Sequence, residues 1–297
     1  MYVIAVVVTY QPGDMTQLLR TLTTQCTRVI VVDNGSRPAG LERLRQVCEQ
    51  TGAGLVELGD NRGIAAAQNR GIALARSQGA ECVLLSDQDS SPAPGMVDQL
   101  AAALKEDDSI AAVGPLPVDD SGTGDELVYV DRGWSPKRAT PAELTRPRLD
   151  VPFLIASGCL IRLAALDDVG AMREDLFIDH VDLEWGVRAR NRGWRIVAVP
   201  GARLNHSLGD KTVKLPGRRQ PVHLHAPMRN YYLMRNTIAL VKWTDFPPRW
   251  RVRYAYWALK YGVFNALCAD HRAERARMLQ RGFVDGLRGR LGRFDRS

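Results

Sequence analysis

The sequence predicts an α/β fold, a sheet flanked by helices, and three observations carry that prediction. Apolar runs near residues 2–8, 28–32, 54–58, 82–85 and 110–113 alternate with helix-compatible segments at 14–24, 39–50, 62–78 and 94–106. That is the pattern of parallel strands joined by crossover helices. The runs end in polar motifs, TYQP (9–12), DNGS (33–36), GDNRG (59–63) and SDQDS (86–90). Such a sheet gathers them on one rim, beyond the carboxyl ends of its strands, where ligands bind. The composition is globular: 297 residues, 45% apolar and 25% charged, enough for one large domain or for one domain plus an appendage.

The elements follow in order. MYVIAVVVTY is apolar from its second residue, but it has no basic leader and is too short for a signal peptide or a span, so it reads as a strand. No GxGxxG follows it, which removes the main signature of a dinucleotide-binding enzyme. After residue 114 a Pro/Gly/Asp-rich stretch to about 150 reads as a surface loop with one short strand at 127–130. A second block then predicts a strand near 152–162, a helix at 182–192 and a strand at 195–199. Residues 207–225, SLGDKTVKLPGRRQPVHLH, are basic and punctuated by Gly and Pro, like a flexible lid. Helices at 226–241, 248–269 and 272–287 close the chain. The longest apolar stretch, YAYWALKYGVFNALCA (254–269), falls short of about 18 residues and is broken by Lys260, so no transmembrane helix is expected.

Five cysteines, widely spread and never in a CxxC pair, argue against a disulfide framework or a zinc site and fit a reducing cytosol. The net charge of +7 lies wholly at the C-terminus: residues 245–297 carry twelve Lys/Arg against five Asp/Glu, whereas residues 1–244 carry 28 of each. Interleaved with Trp243, Trp250, Tyr254, Tyr256, Trp257 and Tyr261, this segment suits an anionic membrane surface or nucleic acid. A nucleic-acid partner is not expected, because the apolar run 254–269 has no task there. The competing reading is a helical hairpin that packs its aromatics inward and leaves its arginines solvated.

Asp87 and Asp89 carry the first chemical signal. In extended chain both carboxylates leave the backbone on one side, about 6 to 7 Å apart at Cα. Like charges held together call for a cation, and carboxylates are hard ligands that favour Mg²⁺ or Mn²⁺ over zinc. The alternative is an Asp-rich turn after a strand.

VVVTYQP, VIVVDNGS, NRGIAAAQNRGI, LLSDQDSSP, ASGCLIR, FIDHVDLEWGVRARNRGWRIVAVPGARLNH and YYLMRN occur in this order between residues 3 and 240. Together they resemble the family 2 inverting glycosyltransferases of the GT-A fold, a Rossmann-like nucleotide-diphospho-sugar transferase with a mixed sheet flanked by helices. The FIDxVDxEW and YYxxRN versions are similar to the bacterial rhamnosyltransferase branch, which builds O-antigen and other surface polysaccharides.

The resemblance implies a DxD metal site at Asp87 and Asp89, with Asp87 also a candidate for the ribose or the sugar and His206 a candidate third ligand. A structural histidine is the alternative at His206. Thr9, Tyr10, Asp33, Arg62 and Asn69 are implied at the nucleotide or its diphosphate. Asp33 would accept a pyrimidine imide N–H, or else simply build an Asp-Asn-Gly-Ser turn around Gly35. Inversion needs a base that takes the acceptor hydroxyl's proton. Asp179 is the first candidate, Asp182 the second and His180 the third, since many relatives have Glu-Asp where this chain has Asp179 and His180. Asp182 also stands where a helix N-cap would. Arg229 and Arg235, on the YYLMRN helix, are candidate diphosphate clamps, with solvated arginines as the alternative.

The resulting expectation is a GT-A domain at 1–244 and a basic aromatic helical extension at 245–297. It would be a cytoplasmic enzyme, peripheral on the inner face of the membrane, moving L-rhamnose from dTDP-rhamnose, or a sugar from a UDP-sugar, to a lipid-linked oligosaccharide. A nucleotidyltransferase of GT-A-like fold would share the rim, but TYQPGD is not the Gly-rich basic loop that holds a triphosphate. A non-catalytic surface-binding protein would have no use for the acidic motifs.

Overall fold

The computed structural model describes residues 1–118, 128–206, 211–213, 222–224, 226–267 and 269–295. Its elements are β1 (Val3–Thr9), α1 (Thr16–Gln25), β2 (Arg28–Asp33), α2 (Pro38–Thr51), β3 (Gly54–Glu57), α3 (Ile64–Ser77), β4 (Cys82–Asp87), β5 (Ser90–Pro92), α4 (Met96–Lys105), β6 (Ile110–Val118), β7 (Tyr129–Asp131), β8 (Pro136–Arg138), α5 (Pro141–Leu144), β9 (Leu149–Asp150), β10 (Cys159–Arg162), α6 (Leu163–Val169), α7 (Val181–Asn191), β11 (Arg195–His206), β12 (Lys211–Val213), β13 (Val222–Leu224), α8 (Pro227–Lys242), α9 (Pro248–Leu267) and α10 (Arg272–Arg288). The expected lid at 207–225 lies mostly outside the described residues; within it, the backbones of β12 and β13 pair antiparallel.

Every residue of β1 is buried, as is all of β2 after Arg28 and all of β4 before Asp87. Continuous Val/Ile/Leu runs of this kind belong to strands covered on both faces. Because side chains alternate along a strand, Val3, Ala5 and Val7 join Leu18, Leu19 and Leu22 of α1 and Met96, Leu100 and Leu104 of α4 in one core. The opposite face of β1 and β2 is covered by α3.

The nine-stranded sheet runs β3-β2-β1-β4-β10-β6-β11-β5, with β9 also on β11. The first four strands are parallel, and their register sets Thr9 beside Asp33, Asp33 beside Glu57, and Val8 beside Asp87. Their carboxyl ends therefore make one polar rim. The sheet is mixed rather than wholly parallel, because β10 runs antiparallel between β4 and β6, and β5 and β9 run antiparallel to β11. Apolar runs reveal strands but not their direction, and the long connection after β6 lets the chain re-enter the sheet the other way. The strand expected at 152–162 shrinks to Cys159–Arg162, preceded by irregular chain that begins at Pro152, which has no N–H to donate. In the other direction, β11 continues to His206, with a register break between Val199 and Arg203.

The chain divides into two compact units: residues 1–132, 136–174 and 181–207 in one, and residues 133–135, 175–180 and 208–297 in the other. In the second, α8, α9 and α10 pack on one another. Gly282 and Gly286, one turn apart on α10, make the closest approach possible: a Cβ on Gly282 would stand 2.4 Å from Tyr231 O, and one on Gly286 2.8 Å from Arg235 O. A boundary at 244/245 follows the charge but separates α8 from the helices it packs against. Of the six aromatics expected to face a membrane, Tyr256 alone is exposed, while Trp250 is fully buried and Trp257 and Tyr261 pack on Met234, Ile238, Ala258 and Leu279. Arg275 is also buried, and donates to Asn230 Oδ1 at 2.7 Å. No helix among the described residues is long and apolar enough to cross a membrane.

Candidate active site

The rim begins at Asp33, which is buried at the end of β2. Its Oδ2 accepts the N–H groups of Gly35 (3.1 Å) and Ser36 (2.8 Å), and its Oδ1 accepts the hydroxyls of Ser36 (2.5 Å) and Thr9 (3.2 Å). All four acceptor positions of the carboxylate are thus engaged. Gly35 has φ +84°, and a Cβ there would lie 2.5 Å from Asp60 C, so no other residue fits the turn. Asn34, which sequence reasoning passed over, ties this turn to the next: it donates to Asn61 Oδ1 (3.2 Å) and accepts the N–H of Arg62 (2.9 Å). Tyr10 is exposed, and its N–H donates to Gln88 Oε1 at 2.8 Å, joining the end of β1 to the DxD motif through its middle residue. Arg62 makes an exposed ion pair with Asp60 at 2.9 Å.

Asn69 is placed differently from its expected role at the nucleotide. Its Nδ2 donates to Met172 O (2.9 Å) and Glu174 Oε1 (2.8 Å), and its Oδ1 accepts Met172 N–H (2.9 Å). An amide so fully engaged anchors the 172–174 segment.

Asp87 ends β4, but Gln88 and Asp89 form a turn, so the same-side geometry of an extended chain does not apply to the pair. The turn leads into β5, which pairs with β11 so that Ser90 stands opposite His206. The backbone thereby brings His206 beside the DxD turn from the far end of the sequence. Asp87 accepts a hydrogen bond from the hydroxyl of Ser157, a buried residue of the ASGC loop whose role the sequence does not reveal.

Helix α7 starts at Val181, so Asp182 sits in its first turn rather than at its N-cap. Its Oδ2 accepts the N–H of Ala156 at 3.0 Å. Further along, Glu184 is buried and paired with Arg188 at 2.8 Å, and the arginine also donates to the carbonyls of Val169 (2.8 Å) and Ala171 (2.7 Å). Trp185 Nε1 donates to Gly170 O at 3.0 Å. The DLEW stretch therefore anchors α7 to the end of α6.

In the second unit, Asp179 is paired with Arg229, at 2.8 Å from Nη2 and 3.2 Å from Nε. The Asp179 side chain is 8% exposed and that of Arg229 39%. His180 Nε2 lies 2.8 Å from Thr237 Oγ1, whose own proton goes to Leu233 O at 2.7 Å, so the imidazole donates to Thr237. The protein packed around His180 lowers its pKa, against the opposing charge of Asp179. Arg235 departs from the expected diphosphate clamp. It is fully buried, donates to Leu176 O (2.8 Å) and Gly292 O (2.5 Å), and lies over the rings of Tyr231 and Tyr232. An arginine with no exposed surface holds its own chain, not a ligand.

A mixed sheet in this order, with an acidic turn after its fourth strand, is the GT-A architecture of nucleotide-sugar transferases. The chain belongs to glycosyl transferase family 2, whose family model matches residues 5–170. It is 29% identical over 300 residues, 97% of this chain and 96% of the relative, to the dTDP-rhamnosyl transferase RfbF of Shigella flexneri. It is 28% identical over 279 residues, 84% of this chain and 88% of the relative, to the N-acetylglucosaminyl-diphospho-decaprenol L-rhamnosyltransferase of Mycobacterium tuberculosis. Among solved structures, GalNAc-T7 with UDP, GalNAc and Mn²⁺ matches with a TM-score of 0.62 at 15% identity, over 96% of this chain and 56% of that one.

Proposed function

We propose that the protein is an inverting, metal-dependent rhamnosyltransferase that moves L-rhamnose from dTDP-rhamnose to a lipid-linked glycan of a cell-surface polysaccharide. The observation that carries the choice of sugar is the near full-length likeness to a dTDP-rhamnosyl transferase. The reaction class is supported by the rim of Thr9, Asp33, Asp87 and Asp89.

Asp87 and Asp89 fit a hard divalent cation, Mg²⁺ or Mn²⁺, which takes one or two protein carboxylates and fills its remaining positions with phosphate and water. His206 is the third candidate ligand. Bound there, the cation supplies Lewis-acid stabilisation to the departing diphosphate.

Asp33 addresses the pyrimidine: its imide N–H takes the place of one of the two rotatable hydroxyl donors, Thr9 or Ser36. Tyr10 and Arg62 stand on the same rim for the base and diphosphate. Asp179 takes the acceptor hydroxyl's proton, with Arg229 orienting it, while Asp182 serves the loop that supports Asp87.

The acceptor's lipid confines the reaction to the inner face of the membrane, and α9 offers a surface for it. Val252, Tyr256, Leu259 and Val263 are exposed on α9 at helical spacing, and Leu267 extends the same stripe. The helix has no acidic residue but carries Arg249, Arg251, Arg253 and Lys260, of which Arg253 and Lys260 flank the Tyr256 ring. An apolar stripe edged by cations matches an anionic interface.

The test is donor binding, measured by thermal shift with and without Mn²⁺. The largest stabilisation is expected from dTDP-rhamnose with Mn²⁺. An equal shift from GDP-mannose, or none from any nucleotide sugar, would contradict the reading.

A further inference from the structure

Three of the five non-glycine residues with positive φ among those described cluster at Phe177 (64°), Asp179 (65°) and His180 (63°). Backbone held there is strained and persists only where its surroundings over-determine it. By its contacts this stretch, Asp175–His180, belongs with the C-terminal helices.

Two layers hold it. The inner layer is the YYLMRN motif on α8. Asn236 Nδ2 reaches the carbonyls of Leu176 (3.0 Å), Ile178 (2.7 Å) and Asp179 (3.0 Å), Arg235 adds its bond to Leu176, and Phe177 stacks on Tyr232 with ring centroids 5.0 Å apart. The outer layer is the end of the chain. After α10 the backbone turns at Gly292, where φ is +91°. Gly292 N–H donates to Asp175 O at 2.6 Å, and Gly292 C=O accepts from Arg235 Nη1 at 2.5 Å. Phe294 N–H donates to the Tyr232 hydroxyl at 2.9 Å, and the Phe294 ring meets Tyr231 at 4.5 Å between centroids. The tail thus touches both ends of the inner layer: the start of the strained stretch, and the arginine and tyrosines that grip it.

We infer that residues 290–295 form a strap that positions Asp179 for the transfer reaction, acting through Arg235, Tyr232 and Asp175 rather than by touching substrate. The inference rests on the reading of Asp179 as the base. It follows that the rate of transfer depends on a tail far away in sequence, whereas donor binding at the rim does not.

The experiment uses the full chain, a form ending at Gly289, and two milder variants. Gly292→Pro removes the N–H that bonds Asp175 and cannot adopt φ +91°, and Phe294→Ala removes the ring on Tyr231. For each, kcat, dTDP affinity, melting temperature and amide hydrogen exchange at residues 176–180 are measured. A misplaced reacting group can cost roughly 10²-fold. A fall in kcat approaching that size, with unchanged dTDP affinity and faster exchange at 176–180, is expected. Wild-type kcat in the shortened chain, or faster exchange without loss of rate, would overturn the inference. Should the shortened chain not fold, the two point variants decide by the same criteria. If Asp179→Asn turns over normally, the base assignment fails and the strap's role through Asp179 falls with it, whereas a slow Asp179→Asn beside wild-type strap variants overturns the strap alone.

Discussion

Asp182 accepts the backbone N–H of Ala156 at 3.0 Å, and the next residue along, Ser157, donates its hydroxyl to Asp87. The second acidic motif therefore supports the first through one short loop. Asp179, three residues earlier, pairs with Arg229 at 2.8 Å.

This separates two variants that sequence alone cannot tell apart. Asp179→Asn should leave donor affinity nearly intact and lower kcat by roughly 10²-fold or more, the scale of a lost general base. Asp182→Ala should instead weaken metal-dependent donor binding and raise KM, because the Ala156–Ser157 loop loses the acceptor that anchors it. Steady-state kinetics with donor and acceptor varied in turn distinguishes them, and the opposite assignment would follow if the two results were exchanged.

Asp89 is exposed in its turn and contributes little to the core. Asp89→Ala should abolish transfer and the Mn²⁺-dependent part of nucleotide binding while leaving the melting temperature within a degree or two. Wild-type turnover at saturating metal would sink the assignment of Asp89 as a ligand.

His180 has a folded-state pKa below its ordinary 6.5, because its surroundings disfavour the charged form. As pH falls through that range the unfolded chain binds a proton that the folded chain resists. The stabilising contribution is therefore complete above about pH 6.5 and declines toward the folded pKa, by at most about 1.4 kcal/mol per pH unit. His180→Gln, which preserves a donor for Thr237, should flatten the loss of melting temperature between pH 7 and 5. An unchanged slope would mean that other groups govern it.

Leu259 and Val263 are exposed on α9, so charging them should not disturb the fold. Leu259→Glu combined with Val263→Glu should lose sedimentation with anionic vesicles, and the wild-type protein should be released from them by salt. Binding by the double variant equal to wild type would assign that face no part in membrane contact. Deleting α9 and α10 is a poorer test, since Met234 and Ile238 of α8 pack against Ala258 and Leu279.

The rim was legible because its signals are local: an apolar run that stops at Asp33 or Asp87 marks a strand end whatever the topology. The pairing of His206 with Ser90 was not, because register between strands more than a hundred residues apart leaves no local trace. The Asp87–Asp89 spacing misled for a similar reason, since period-two reasoning holds only while the chain stays extended and β4 ends at Asp87. The role of Arg235 is also not written in its local sequence. An arginine on a helix reads as solvated or as an anion clamp, and its sequence neighbours do not say that the carbonyls of residues 176 and 292 will surround it. Asn69 and Asn236 share that difficulty: their amides complete irregular backbone that the sequence does not identify as irregular.

Inverting rhamnosyl transfer is tested by analysis of the product. The purified protein is incubated with dTDP-rhamnose, Mn²⁺ and a lipid-linked glycan acceptor, and the glycan is examined by NMR for the new sugar and its anomeric configuration. One added rhamnose with configuration opposite to that of the donor is predicted, with release of dTDP. Transfer with retained configuration, or transfer from a UDP-sugar and none from dTDP-rhamnose, would contradict it.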